Sequence, residues 1–225
     1  MLKGFLQGGC AVKVIGDSLA AGAGSSGMTE TKELIFQDPV GAYYRREAPN
    51  SWWALLDRFV KEKYPGSGVR SLGCCGAFSY QVLEQLPQLV SPEDGAVLVL
   101  AGLNDRKRLA GMEELARNIR AILGRLKEMG KYAVVLAPTP STQENENYPN
   151  RLHHTPQVVG ILRQAAGEAA VPLVDMHKDI GAYLAASGKK LEDIIFGAGC
   201  QNDGLHPGDA MQKVMFESVV RTLGI

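Results

Sequence analysis

Three short segments of this sequence carry side chains that could act together in one reaction. Ser18 follows the apolar run AVKVIG, Asn104 follows AVLVLAG, and Asp203 and His206 occur in DGLHP near the C-terminus. A serine hydroxyl is a poor nucleophile until a base takes its proton, and a neutral imidazole suits that task near pH 7. A carboxylate can orient the imidazole, and an amide can stabilise an oxyanion. These residue types therefore predict attack by Ser18 on a carbonyl carbon.

A fourth segment, GCCG at 73–76, supplies backbone rather than a side chain, because at Gly76 an N–H group can approach a ligand without a Cβ in the way. Each segment alone is a weak signal. Ser18 could be a helix N-cap, and Asn104 could be a turn residue. Three of the four segments follow predicted strands, and ligands of open α/β sheets bind at the carboxyl ends of the strands. Their combination favours one shared site.

A competing motif lies between these segments. Residues 22–27, GAGSSG, match G-x-G-x-x-G, the phosphate-binding fingerprint of dinucleotide-binding folds. In that fingerprint the first glycine directly follows the strand, whereas Gly22 comes six residues after Gly16. The next residues form a long connection with two prolines instead of a helix and a strand that ends in an acid. The sequence therefore disfavours a dinucleotide. Ser25, in AGSSG, has no preceding strand and cannot form a nucleophile elbow.

Cysteine and histidine offer two further alternatives. Cys74 and Cys75 could be nucleophilic, but buried, inert cysteines are the commoner case. His153 and His154 could bind a metal, but no third ligand stands at suitable spacing. We expect neither a metal nor another cofactor.

The elements that must position these residues alternate along the chain. Apolar, β-branched runs predict strands, and amphipathic stretches between them predict helices. Such alternation predicts a parallel sheet covered by helices on both faces, with right-handed crossovers. Long connections at 24–50, 139–154 and 176–206 are expected to be functional or mobile. The predicted strands are 11–16, 69–73, 96–102, 132–138 and 171–175, and the longer predicted helices are 51–64, 79–90, 112–130, 155–170 and 207–224.

Composition narrows the class of protein. The chain has 225 residues, 45% of them hydrophobic, and 24 basic residues balance 24 acidic ones. That length fits one domain, residues 1–225, with a sizeable core.

Zero net charge disfavours a nucleic-acid partner, and no apolar run is long enough to insert into a membrane. The first residues lack the apolar segment of a signal peptide, and four cysteines are too few for a disulfide scaffold. We therefore expect a cytoplasmic protein. The sequence predicts no oligomeric state.

The order of the four segments, from IGDSLAAG at 15–22 to DGLHP at 203–207, resembles that of the SGNH (GDSL-type) hydrolases, the GDSL-like lipases and acylhydrolases. The resemblance spans nearly the whole chain. It implies a three-layer α/β/α sandwich with a flavodoxin-like, five-stranded parallel sheet of order 2-1-3-4-5. It also implies an enzyme of the carboxylic ester hydrolase class, such as an esterase, lipase, thioesterase or carbohydrate deacetylase.

By the same resemblance, Ser18 is the nucleophile, His206 the base and Asp203 its partner. The N–H groups of Ser18 and Gly76 and the side chain of Asn104 correspond to the oxyanion hole. One block departs from the family pattern: Leu72 stands where an asparagine is common, and a Cys-Cys pair follows Gly73. The family pattern therefore predicts Gly76 but does not predict the detailed shape of the loop that carries it.

The substrate is expected to be a small ester with a short acyl group, such as an acetyl ester of a carbohydrate, because the long connections are too polar for a lipid groove. Asp17, Tyr43, Tyr44 and Tyr148 are candidate substrate contacts. Three alternatives remain: a lysophospholipase or thioesterase for longer chains, an acyltransferase in which an alcohol replaces water, and a non-catalytic binding module. The intact set of chemical groups argues against the last of these.

Overall fold

The five predicted apolar segments form one parallel sheet in the computed structural model, which describes residues 2–225. The strands are β1 (Ala11–Gly16), β4 (Gly68–Gly73), β5 (Asp94–Leu100), β6 (Tyr132–Ala137) and β7 (Leu173–Asp175). The strand order is β4-β1-β5-β6-β7, which is the predicted order 2-1-3-4-5 when only these five strands are numbered. The predicted fold class is therefore confirmed.

Helices cover both faces of the sheet because side chains alternate between the faces along each strand. The helices are α1 (Leu2–Gln7), α2 (Ser18–Ala21), α3 (Trp52–Lys63), α4 (Ser79–Glu84), α5 (Leu86–Leu89), α6 (Gly111–Glu128), α7 (Gln143–Glu146), α8 (Thr155–Glu168), α9 (Met176–Ser187), α10 (Glu192–Ile195) and α11 (Asp209–Leu223). In β5, Leu98 points into one core with α1, α3, α9, α10 and α11, and Val99 points into the other with α4, α5, α6 and α8.

One long connection differs from the expectation of an irregular loop. Within residues 24–50, β2 (Thr29–Gln37) and β3 (Ala42–Glu47) form an antiparallel hairpin outside the main sheet. The register shifts between Leu34 and its neighbours, and Phe36 and Tyr43 pack together with their ring centroids 4.5 Å apart. Charged residues interrupt the alternation that marks a strand, which explains why the sequence pattern did not reveal the hairpin.

In the described part of the chain, no helix combines the length and apolar character needed to cross a membrane.

Candidate active site

Ser18 begins α2, the short helix that follows β1. Asp17 caps this helix, since its Oδ1 accepts the N–H of Leu19 at 3.0 Å. Two buried indoles hold the helix from α3, because Trp52 Nε1 donates to Leu19 O at 2.9 Å and Trp53 Nε1 donates to Ala21 O at 3.1 Å. As the first residue of the helix, Ser18 has an N–H without an acceptor in the helical ladder.

The hydroxyl of Ser18 lies at one end of a chain of hydrogen bonds. Ser18 Oγ is 2.8 Å from His206 Nε2, and His206 Nδ1 is 2.6 Å from Asp203 Oδ2. Ser18 and His206 are thus within hydrogen-bonding distance, although 188 positions separate them in the sequence. If Nδ1 carries the ring proton toward Asp203, Nε2 is left as an acceptor for the serine proton. The geometry suits activation of Ser18 by His206.

Asp203 is held as an anion in a tight turn. Its Oδ1 accepts the backbone N–H groups of Leu205 at 3.0 Å and His206 at 2.9 Å. Burial alone would raise the pKa of Asp203, but the His206 ring and these two donors lower it to about 2. The carboxylate is therefore ionised at neutral pH and can stabilise an imidazolium.

A glycine brings the His206 segment against the serine segment. Gly24 has φ +97°, and a Cβ there would lie 2.6 Å from the carbonyl carbon of His206 and 2.4 Å from Pro207 O. A side chain at this position would push the two segments apart. Gly24 thus permits close packing against His206, and a Cβ at Gly22 would lie 2.4 Å from the Ser51 side chain, so both glycines have a structural reason unrelated to a dinucleotide.

Asn104 begins a short 3₁₀ helix (Asn104–Lys107) after β5, and its amide is oriented by two partners. Nδ2 donates to Ala77 O at 3.0 Å, and Oδ1 accepts from Lys107 Nζ at 2.9 Å. An amide nitrogen carries two hydrogens, so one remains for a ligand. Asn104 lines the same cleft as Ser18 and is 8% exposed. It can therefore act as a hydrogen-bond donor there.

Gly76 lines this cleft as well. Its φ of +87° is a left-handed conformation, and no atom lies within 4 Å of the position of a Cβ. In residues 2–225 its N–H has no acceptor, although neighbouring backbone groups do, such as Cys74 N, which donates to Gly16 O at 2.9 Å. The backbone conformation at Gly76 thus leaves a donor free for a ligand.

Asp17, a candidate substrate contact, is instead an interior residue. It is 1% exposed, and its second oxygen accepts the N–H of Leu103 at 3.2 Å. Asp17 therefore connects the serine segment to the segment that carries Asn104. Burial raises its pKa to about 6, despite the two backbone donors. The expectation that Asp17 contacts substrate is corrected, because both oxygens are used inside the protein.

The three candidate tyrosines lie in different places. Tyr43 is buried and its hydroxyl accepts from Gln81 Nε2 at 2.8 Å, which corrects the expectation of a substrate contact there. Tyr44 is half-buried in β3 and does not line the cleft. Tyr148 is 55% exposed and borders a cavity next to the cleft. Of the three, only Tyr148 is placed where a bound molecule could reach it.

The alternative nucleophiles are less well placed than Ser18. Ser25 is buried and its hydroxyl donates to Gly22 O at 2.8 Å. Cys74 is fully buried, and burial together with nearby Cys75 raises its thiol pKa to about 12. Cys75 lines the cleft, but burial raises its pKa too. A thiol is a weak nucleophile in its protonated form.

The paired histidines do not converge on further ligands. His153 Nε2 lies 3.2 Å from Arg108 O, and His154 Nδ1 lies 3.2 Å from Glu146 Oε2. Among the described residues, no three His, Cys, Asp or Glu side chains are grouped as a metal site would require.

Gln212 in α11 is an important residue that the sequence patterns did not reveal. It is fully buried, and its Oε1 accepts Trp52 N–H at 2.9 Å. Its Nε2 donates to Ala23 O at 3.2 Å and to Pro207 O at 3.0 Å. One side chain therefore connects α3, the segment after Ser18 and the segment after His206. A glutamine in a helical pattern gives no sign of such contacts.

Three cations that the sequence analysis did not single out also line the cleft. Arg46 comes from the β2–β3 hairpin, Lys107 from the 3₁₀ helix and Arg151 from the connection between α7 and α8. The cleft has a volume of about 340 Å³, and its apolar lining residues are Ala23, Met28, Leu103 and Leu205. The basic run DRKR after Asn104 was the available sequence signal for Lys107.

Several solved hydrolases share this three-layer α/β/α fold. An α/β hydrolase from the metagenome of Lake Arreo is 17% identical, with a TM-score of 0.71 and coverage of 96% of this chain and 95% of the other. A catalytic mutant of an acetylxylan esterase from Geobacillus stearothermophilus gives the same identity, TM-score and coverage. A lipase/acylhydrolase from Enterococcus faecalis is 18% identical, with a TM-score of 0.67 and coverage of 94% of both chains. At such identities the likeness concerns the fold.

The family is shown by the sequence itself. Residues 14–214 match the model of the GDSL-like Lipase/Acylhydrolase family, so the chain belongs to that family and is an ester hydrolase. No curated protein matches the sequence.

Proposed function

We propose that the protein cleaves short-chain acyl esters, such as acetyl esters of a carbohydrate, through an acyl-enzyme on Ser18. The observation that carries this proposal is the chain of hydrogen bonds from Asp203 through His206 to Ser18 Oγ, with distances of 2.6 and 2.8 Å. Such a chain gives the hydroxyl a base and gives the base an orienting carboxylate.

In the first half of the reaction, Ser18 Oγ attacks the ester carbonyl carbon while its proton passes to His206 Nε2. The carbonyl oxygen becomes an oxyanion, which Ser18 N–H, Gly76 N–H and one Asn104 Nδ2 hydrogen stabilise. Collapse of the tetrahedral intermediate breaks the bond to the alcohol, and the proton on Nε2 goes to the departing oxygen. The imidazolium is stabilised in the interval by the ionised Asp203.

In the second half, water attacks the acyl group on Ser18. His206 Nε2 accepts a proton from the water, and the same three donors stabilise the second oxyanion. Collapse breaks the bond between the acyl carbon and Oγ. The proton returns to Ser18, and the carboxylic acid leaves.

The dimensions and lining of the cleft support a short acyl group. A volume of about 340 Å³ is near the lower end of the range for small-molecule sites. Its apolar wall consists of a few side chains, among them Ala23 and Leu205, while Gln201 and three cations make the rest polar. A long alkyl chain would need a longer apolar groove. The acetylxylan esterase that shares the fold adds support for acetyl esters as a substrate class.

The test is a series of p-nitrophenyl esters with two to twelve acyl carbons, assayed on wild type, Ser18→Ala and the exposed-serine control Ser187→Ala. We expect kcat/KM to be highest for the shortest acyl groups and Ser18→Ala to be inactive with an unchanged circular dichroism spectrum. A serine-directed organophosphate should label Ser18. Label on Ser25, or full activity of Ser18→Ala, would contradict the mechanism, and a preference for long chains would contradict only the substrate class.

A further inference from the structure

Two basic side chains that line the cleft have no ion-pair partner among the residues that the structure describes. Lys107 and Arg151 line both the cleft and an adjoining cavity of about 460 Å³. The third cation, Arg46, forms an ion pair with Glu30. In contrast, across residues 2–225 no carboxylate oxygen lies within 4.0 Å of the Lys107 ammonium or the Arg151 guanidinium. Two positive charges without an ion-pair partner therefore line the cleft that holds Ser18.

The two acids that border this space form no ion pair with Lys107 or Arg151. Asp203 borders both cavities, but it accepts from the His206 ring and from two backbone N–H groups. Glu144 borders only the adjoining cavity and is exposed to solvent. The two carboxylates balance the two cations in formal charge, but neither lies within 4.0 Å of the Lys107 ammonium or the Arg151 guanidinium, so both cations remain without an ion-pair partner within residues 2–225.

Arg151 is held in place by its own segment. Its N–H donates to Tyr148 O at 2.8 Å, and the next residue, Leu152, donates its N–H to Arg106 O at 2.9 Å. Arg106 is fully buried and pairs with Glu146 at 2.8 Å. The Arg151 guanidinium donates through Nη1 to Asn150 Oδ1 at 3.1 Å, whereas its Nε is buried without an acceptor. Because Arg151 lines the cleft without a carboxylate partner, its guanidinium can donate to an anionic oxygen bound there.

Lys107 is held next to the reaction centre. Its Nζ donates to Asn104 Oδ1 at 2.9 Å, so the ammonium is one amide group away from the proposed oxyanion donor. Burial lowers the pKa of Lys107, and the charges of Arg151 and Arg106 lower it further. The two cations thus repel each other in the free protein, and a bound anion would relieve that repulsion.

We propose that Lys107 and Arg151 bind an anionic group on the alcohol half of the ester, so that the substrates are short-chain esters of acidic alcohols such as sugar acids or sugar phosphates. This inference rests on the proposed function, because a short acyl group has no room for a charge and the alcohol half must then carry it. Carboxylate and phosphate present the same chemistry to the pair, namely oxygens that accept charge-assisted hydrogen bonds.

The experiment compares three acetyl esters that share an aryl ring: 4-acetoxybenzoate, 4-acetoxyphenyl phosphate and the neutral 4-acetoxybenzamide. We expect wild type to prefer at least one anionic ester over the amide by roughly 10- to 100-fold in kcat/KM, as hydrogen bonds to charged groups imply. Added salt should reduce that preference. The anionic ester with the larger increase in kcat/KM over the neutral amide identifies the preferred class of acidic alcohol.

The variants Arg151→Gln and Lys107→Gln should each lower the ratio of anionic to neutral kcat/KM by about tenfold. Differences in leaving-group reactivity cancel when the ratio is compared between variant and wild type. Lys127→Gln is the matched control, because Lys127 lies near the far end of α6 and lines a different groove. It should leave the ratio unchanged. A wild-type ratio near one, or a ratio that neither cleft variant changes, would overturn the subsite while hydrolysis of the amide still supports the proposed function.

Binding provides a readout that needs no turnover. In the Ser18→Ala background, calorimetry should show 4-acetoxybenzoate binding about tenfold more weakly after Arg151→Gln, and the neutral amide binding equally before and after. Equal affinity of 4-acetoxybenzoate for both proteins would overturn the subsite. If wild type cleaves no ester, the proposed function fails, and the binding result still decides the anionic subsite.

Discussion

Replacement of Gln212 by methionine tests whether one buried side chain holds the active-site segments together. The change keeps a long, unbranched side chain and removes three hydrogen bonds, one from Trp52 N–H and two to the carbonyls of Ala23 and Pro207. Gln212 is 0% exposed, so solvent does not readily replace these partners. The three backbone groups would then remain buried without a partner.

The expected magnitude follows from that count. A buried polar group without a partner costs about 1–3 kcal/mol, so three such groups would cost roughly 3–9 kcal/mol. Local relaxation and an entering water molecule would recover part of this free energy. We therefore expect the free energy of unfolding to fall by about 3 kcal/mol or slightly more. Domains are stable by about 5–15 kcal/mol, so Gln212→Met should still fold. Because Pro207 follows His206, a loosened segment should also lower kcat, by about 10- to 100-fold.

Urea unfolding measures the first effect, and kcat for p-nitrophenyl acetate under folded conditions measures the second. Gln88→Met, at an exposed glutamine, is the control and should change stability by less than about 0.5 kcal/mol. In Gln212→Glu one oxygen still accepts from Trp52, but the other faces two carbonyl oxygens. The free energy of unfolding of Gln212→Glu should therefore be lower than that of wild type, and the difference should shrink as the pH falls and the carboxylate gains a proton. If Gln212→Met is as stable as Gln88→Met, the reasoning is refuted.

Two further predictions concern the proposed oxyanion donor and the buried ion pair. Asn104→Ala should lower kcat by about 10²–10³ with little change in KM, because the oxyanion exists mainly in the transition state; steady-state kinetics would show the opposite pattern if Asn104 bound the ground state. Burial opposes ionisation of Glu146, but hydrogen bonds from Ser141 and Thr155 and the charge of Arg106 lower its pKa from 4.5 to about 2. Its stabilising contribution should be full above about pH 4.5 and lost as the pH falls towards 2. Chemical unfolding of wild type and Glu146→Gln should therefore converge in that range, and a constant difference would show that ionisation of Glu146 does not contribute.

The main sheet and the approximate position of the site follow from local sequence patterns. Near-continuous apolar runs predicted the five strands, and their alternation with helical patterns predicted parallel pairing. In parallel sheets the carboxyl ends of the strands meet at one edge, so residues after different strands come together whatever their separation. Ser18 and Asn104 follow this rule directly, and His206 reaches the same edge from the segment before α11.

The contacts of buried polar side chains were decided by the tertiary structure alone. Asp17 was expected at the substrate, yet it is used to connect two strand ends through Leu103 N–H. Gln212 gives no signal in its helical pattern, because two of its three partners, Trp52 and Ala23, lie 160 and 189 positions away. Whether Lys107 and Arg151 have an ion-pair partner likewise depends on which acids fold beside them. Residue type and spacing report on neighbours within a strand or a helical turn, whereas a buried hydrogen bond or an unpaired charge depends on segments that only folding brings together.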